Sequence, residues 1–408
     1  MKQYLTNRRA FLVVCSMVTC IVIFNRCISN PGEKKEAITH PNGHQYAGSE
    51  ACRNCHRAIC DSFVRTAHYL TSGLASKEYI KGSFREGENV FAFDADRKVV
   101  MEEEGDELFQ TAYIRGKKER SQRFDMVMGS GKKGQTYLYW RGRELFQLPI
   151  SYFASSHAWA NSPGFSPAKI SFDRSIEVRC MECHSTYAKE VFTSEYIPSQ
   201  IIYGVSCERC HGPGAGHVEF HTQHPSEKHG KFIVNPANLQ RLQGLDVCAL
   251  CHSGTMASMK DAFSFLPGDT LSHYFVRNTA HIDSSRLDVH ANQYGLLTAS
   301  KCFRVSETMN CSTCHNTHVK ESGDLVAYAT KCMGCHTESN HNVCRLQPPA
   351  GFSMTANCVN CHMPVKASKN LTLLVAGQGS VSPELVRSHL IAVYPAESKK
   401  LLLLNGFR

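Results

Sequence analysis

Apolar and polar positions fall into contrasting textures along the chain. Near its start an apolar run from Ala10 to Phe24 follows Lys2, Arg8 and Arg9, and polar residues then take over. The run is shorter than the about 20 apolar residues of a membrane-spanning helix. A basic segment ahead of a short apolar one is the pattern of an export signal. Residues 1–29 are therefore read as a signal peptide cleaved after Ser29 or as an N-terminal anchor, and Cys20, after Met17, Val18 and Thr19, leaves lipidation open. Between residues 77 and 150 the texture becomes alternating. NVFAFDADRKVVMEEEGDELFQTAYIRG and QTYLYWRGRELFQLPI carry period-two patterns broken by turns, which predict a small antiparallel β insertion. ICDSFVRTAH predicts a helix that ends at His68, and the apolar Leu401 to Leu404 predict a tail that packs.

The remainder lacks long periodic stretches, and composition explains why. The 408 residues include 20 cysteines and 21 histidines. CxxCH recurs at Cys52-Cys55-His56, Cys180-Cys183-His184, Cys207-Cys210-His211, Cys248-Cys251-His252, Cys311-Cys314-His315, Cys332-Cys335-His336 and Cys358-Cys361-His362. Chance would produce on the order of 0.05 such pentapeptides in a chain of this composition. Two cysteines separated by two residues reach the two vinyl groups of one haem, and the next residue, histidine, ligates its iron. A zinc site would need no histidine after each CxxC, and a redox thiol pair would occur once, within a βαβ unit. The expected cofactors are seven covalently bound haem c groups, with all 14 motif cysteines as attachment points and the seven motif histidines as proximal ligands.

Motifs only 21 to 27 residues apart (180 to 207, 311 to 332, 332 to 358) leave room for little more than a helical turn and a loop per haem. The rings would then replace much of the side-chain core. The expected fold is a mainly α and coil multihaem cytochrome with low regular secondary structure. Its parts are a first haem-binding segment at 45–76, the β insertion at 77–150, a six-haem domain at 151–395 and a tail at 396–408. Within the insertion, GSGKKGQT falls short of a phosphate loop because Gln135 stands where the essential lysine belongs.

YAGSEACRNCHRAICDSFVRTAH, YGVSCERCHGPGAGHV, MNCSTCHNTHV and NCVNCHMP resemble the haem-binding stretches of the multihaem c-type cytochromes. The similarity is to the group containing the tetrahaem electron carrier of hydroxylamine oxidation and, more distantly, to the pentahaem nitrite reductases. The latter carry a CxxCK haem, which this chain lacks. The resemblance implies mostly bis-histidine irons. Fourteen histidines lie outside the motifs, and seven are assigned as distal ligands: His68, His157, His217, His290, His318, His341 and His389. His157, His290 and His389 lie in SSHAW, DVHANQY and RSHLI, which look like the family's ligand-bearing segments. His318 is too near His315 to reach the far face of its own haem, so it is assigned to a neighbouring one. His217 follows the Gly-Pro loop HGPGAG and is assigned to a different haem from His211. His44 and His281 are alternatives to His341, whereas His221, His224 and His229 read as solvated loop residues. Cys302 and Cys344 could pair as a disulfide or stay separate thiols, and Cys60 reads as a packed small residue.

Charge completes the picture. Loss of the leader, with Lys2, Arg8, Arg9 and Arg26, lowers the formal charge from +9 to +5. A ferric haem with two propionates contributes about −1, so the loaded protein sits near neutral, which argues against nucleic-acid binding. The expected function is electron relay through a chain of haems, in the periplasm or on the periplasmic face of a membrane. Its expected partners are redox proteins such as a membrane quinol oxidase module or other cytochromes. The alternative is an oxidoreductase acting on a small nitrogen or sulfur compound at one five-coordinate haem. A pyridine haemochrome assay should give about seven haems per chain, and a result of none would return the zinc reading.

Overall fold

From Ser49 the chain enters α1 (Ser49–Phe63), which carries the first CxxCH. The computed structural model describes residues 36–166, 168–276, 287–321, 323–340, 343–346, 350–375 and 381–404. The export-signal reading lies outside these residues, as do His281 and His341. Helix α1 stops at Phe63, short of His68, as its last turn tightens through Arg65 N–H to Ser62 O and Thr66 N–H to Phe63 O. His68 therefore sits in a turn that leads into β1 (Ser72–Leu74).

The alternating stretch folds as its pattern predicts. β2 (Val90–Ala92), β3 (Arg97–Glu104), β4 (Glu107–Ile114) and β5 (Lys117–Arg123) form an antiparallel meander. Along β3 the inward positions Val99 and Met101 are fully buried while their neighbours are not. β6 (Met126–Met128), β7 (Gly134–Arg141), β8 (Glu144–Gln147), β9 (Ile150–Phe153) and β10 (Ala158–Asn161) continue into a second sheet that begins with β1. Gln135 is a buried latch in this sheet: its Oε1 accepts from Lys81 N–H at 2.8 Å and its Nε2 donates to Tyr79 O at 2.9 Å.

Strands do not end with the alternating stretch. β11 (Arg174–Ser175) pairs with β8; after α2 (Val178–His184), β12 (Ser185–Phe192) and β13 (Glu195–Tyr203) extend the same sheet. Helices α3 (Cys207–His211), α4 (Ala215–Gln223) and α5 (Arg241–His252) follow, then the two-residue strands β14 (Ala257–Ser258) and β15 (Phe275–Val276). The chain continues through α6 (Gln293–Thr298), α7 (Lys301–Val305), α8 (Leu325–Met333) and α9 (Cys358–His362). It closes with the hairpin β16 (Val365–Leu373) and β17 (Ser382–Arg387) and with α10 (Pro395–Leu404).

Helix and strand each account for 27% of the structure, so the expectation of a mainly α fold with low regular structure is corrected. The reason lies in how the backbone satisfies itself between motifs. Helices α3 and α9 are only five residues long, and a helix of one turn has little cooperative stability. The connecting chain meets its hydrogen-bonding needs as hairpins instead: β12 and β13 continue the large sheet, and β16 and β17 pair as a sheet of their own.

Among the described residues, the most extensive apolar cluster belongs to the two sheets. It includes Phe91, Val99, Met101, Tyr137, Leu148, Ile150 and Trp159. Trp159 is in edge or tilted contact with the rings of Phe84, Phe124, Tyr137 and Tyr152, and its Nε1 donates to Ser83 O at 2.8 Å. Gly82 lies against that indole so closely that a Cβ would fall 2.1 Å from a ring atom. Trp159→Ala should cost about 3–5 kcal/mol of stability, read as a lower denaturant midpoint at unchanged haem content. An unchanged midpoint would show that this cluster is not the core.

Candidate haem-binding site

Helical geometry brings the groups of several motifs together. Residues three and four apart share a helix face, so both cysteines and the histidine of CxxCH lie to one side. The first four motifs lie in α1, α2, α3 and at the end of α5, and the last occupies α9. The fifth opens on a short 3-10 turn, Cys311–Thr313, and the sixth begins at the end of α8.

In four places the folded chain brings a motif histidine close to a histidine from outside the motifs. The ring centroids of His56 and His217 are 6.4 Å apart with planes 18° apart. His211 and His318 are separated by 6.1 Å at 25°, and His315 and His389 by 6.3 Å at 28°. His68 and His252 are 6.2 Å apart with nearly perpendicular planes, at 87°. Two imidazoles bound trans to one metal, at about 2 Å per metal–nitrogen bond, place their centroids about 6 Å apart. All four pairs match that spacing, so these residues fit a six-coordinate haem iron.

Hydrogen bonds prepare the same rings. The Nδ1 atoms of His211, His217 and His362 lie 2.8 Å from the carbonyls of Val234, Lys231 and Ala392. His252 Nδ1 is 3.2 Å from Gln293 Oε1, and His315 Nδ1 is 2.8 Å from Glu321 Oε2. A donated Nδ1–H fixes the tautomer and leaves the Nε2 lone pair for a metal. His184 Nδ1 is bonded with Thr71 Oγ1 at 2.9 Å. Burial pushes His68 and His389 down to about 4, each helped by the neighbouring His315, so both rings are neutral at physiological pH.

The thiols reveal which motifs are neighbours. Cys52 adjoins Cys207, Cys183 adjoins Cys251, and Cys248 adjoins Cys311. Cys332 has Cys358 and Cys314 near it. Buried side chains at the variable positions of two motifs hold these helices together. Glu208, between Cys207 and Cys210, accepts from the N–H groups of Ala47 (2.7 Å), Gly48 (2.9 Å) and Gly214 (2.8 Å). It thereby clamps the loop before His217 against the chain that precedes α1. Glu182 accepts from Phe263 N–H at 2.8 Å, and Arg209 Nη2 donates to Glu182 O at 2.8 Å. These staples were not anticipated from the sequence. Their signal was available as charged residues inside CMECH and CERCH, on turns that a haem must cover.

Other expected ligands are placed differently. His157 is exposed at a turn between β9 and β10, with φ of 49°. His290 follows the buried Asp288, which accepts its N–H at 2.7 Å and Ser368 Oγ–H at 2.8 Å. Its imidazole lies near enough to His184 for a proton on it to disfavour a proton on His184, without the close ring approach of the four pairs. Among the described residues no histidine ring stacks on His184 or His362. His44 is exposed, and His221 lies on α4 beside His217 rather than in a loop. Cys302 and Cys344 are both free thiols, and Cys60 is buried.

The model of the cytochrome c554 and c-prime family matches residues 154–212, the stretch with the second and third motifs. The fold is similar to the crystal structure of the outer cell wall cytochrome OcwA, with a TM-score of 0.53 and 17% identity. That likeness covers 87% of this chain and 81% of the other. No curated protein sequence matches the chain. The family match thus falls on two of the CxxCH motifs, and the structural likeness is one of fold.

Glu208→Ala removes the acceptor of three backbone donors, at about 1–3 kcal/mol for each that stays buried. Amide exchange at Ala47, Gly48 and Gly214 should accelerate together in the variant. Unchanged protection at those three amides would refute the clamp.

Proposed function

We propose that the protein is an exported heptahaem cytochrome c that relays electrons along a haem chain. The 14 motif cysteines attach the haems, and the seven motif histidines are the proximal ligands. The observation that carries this reading is the set of four histidine pairs at 6.1 to 6.4 Å, each joining a motif to a histidine from another part of the chain. In it, His217 caps the haem of His56, His318 that of His211, His68 that of His252 and His389 that of His315. His290 is the proposed cap for the haem of His184.

Each haem supplies a one-electron iron centre, and the polypeptide decides where the centres stand. Contacts between motif thiols support a path from the first motif to the third, on to the fourth with the second beside it, then to the fifth, sixth and seventh. Fixed tautomers and buried neutral imidazoles keep the ligand sets unchanged as electrons pass, which limits reorganisation. The proposed partners are redox proteins of a membrane or its periplasmic face. No helix among the described residues is long and apolar enough to cross a membrane.

EPR of the oxidised protein should show low-spin signals only. Replacing His68, His217, His318 or His389 by alanine should each convert one haem to high spin. A variant that stays wholly low-spin would remove that residue from the ligand set. A high-spin haem in the unaltered protein would favour an oxidoreductase with one open iron.

A further inference from the structure

The proximal imidazoles do not have equivalent Nδ1 partners. His211 and His362 face backbone carbonyls, His252 an amide oxygen and His184 a hydroxyl. His315 faces a carboxylate, Glu321 Oε2, at 2.8 Å. That carboxylate is held in place from three sides. Tyr328 O–H donates to the same Oε2 at 2.6 Å, and Asn316 N–H donates to Oε1 at 2.7 Å. The Tyr328 ring also packs on the His315 ring, with centroids 5.4 Å apart.

The chemistry of this contact is directional. A carboxylate that accepts an imidazole N–H draws that proton toward itself and makes the opposite nitrogen a stronger electron donor. A stronger axial donor stabilises the ferric over the ferrous state, so second-shell hydrogen bonding lowers a haem's potential. Neutral carbonyl, amide and hydroxyl partners do this less, because a charged acceptor makes the stronger hydrogen bond.

We propose that Glu321 is a positioning residue that makes the haem of Cys311, Cys314 and His315 lower in potential than those whose proximal histidines bond neutral acceptors. The proposal rests on the heptahaem reading above and adds an energetic order to it. This haem stands at a junction: Cys311 adjoins Cys248 of the fourth motif, and Cys314 neighbours Cys332 of the sixth. A low-potential centre there is an uphill step for electrons crossing between the first four haems and the last two. It regulates exchange between the two groups without any moving part.

The test is a spectroelectrochemical titration of the loaded protein, with haem counted by pyridine haemochrome. In Glu321→Gln, which keeps a neutral acceptor of the same shape, a component of about one-seventh of the haem absorbance should move to higher potential. The remaining components should stay in place, and the iron should stay low-spin. Tyr328→Phe removes the competing donor from Oε2 and leaves the carboxylate freer to accept from His315, so the same component should move to lower potential. This second variant decides the matter if the first fails to load haem. Full haem content with unmoved potentials, or an equal shift of every component, would overturn the role of Glu321. A haem count far from seven in the unaltered protein would instead overturn the heptahaem reading.

Discussion

The constraint on which the rest of this structure depends is the approach of two imidazole rings to one metal-sized gap. His56 meets His217, His211 meets His318, His315 meets His389 and His68 meets His252, each pair drawn from segments far apart in the chain. The local elements that carry these rings are weak. A five-residue helix such as α3 or α9 has paid for nucleation without the benefit of propagation, so tertiary ties must hold it. Glu208 and Glu182 supply some of those ties through buried backbone bonds, and the histidine pairs account for the long-range pattern.

The sheets and the haem-bearing helices meet at residues 68–72. His68 O accepts from Val205 N–H, Thr71 Oγ1 bonds with His184 Nδ1, and Ser72 Oγ–H donates to His184 O at 2.6 Å. Gly204, at φ of 65°, is pressed so close to Tyr69 that a Cβ would lie 2.0 Å from its carbonyl oxygen. One turn therefore carries a ring for the fourth motif, a bond for the second and the edge strand of the larger sheet. This arrangement explains why the strand content continues past residue 150. Helices α2 and α3, with the second and third motifs, pack against β12 of this sheet, and β12 and β13 run directly between those two motifs.

Legibility from sequence followed the range of the forces involved. CxxCH is a local constraint, since both cysteines and the histidine must reach one ring from one helical turn, and so its seven copies could be read off directly. The meander at 90–123 was equally readable, because period-two burial is written in adjacent residues such as Val99 and Met101. His68, His217, His318 and His389 were picked from motif-adjacent position and from resemblance, and neither showed which ring each would face. His157 looked equivalent to them in sequence, yet lies exposed at a turn. The helix expected to reach His68 ends at Phe63, because backbone bonding there gives way to a turn held by Thr66 and Val205.

By itself the sequence determined the chemistry: seven thiol pairs, each with a histidine, three of the intervals between them too short for a conventional core around each. Spacing alone settled that, since covalent reach along one helical turn requires no knowledge of the remaining chain. Only the tertiary structure decided which distant histidine faces which motif, how the motifs adjoin, and that Glu321 rather than a carbonyl bonds His315. Those features depend on segments brought together across the fold, where side-chain geometry and burial, rather than residue order, set the partners.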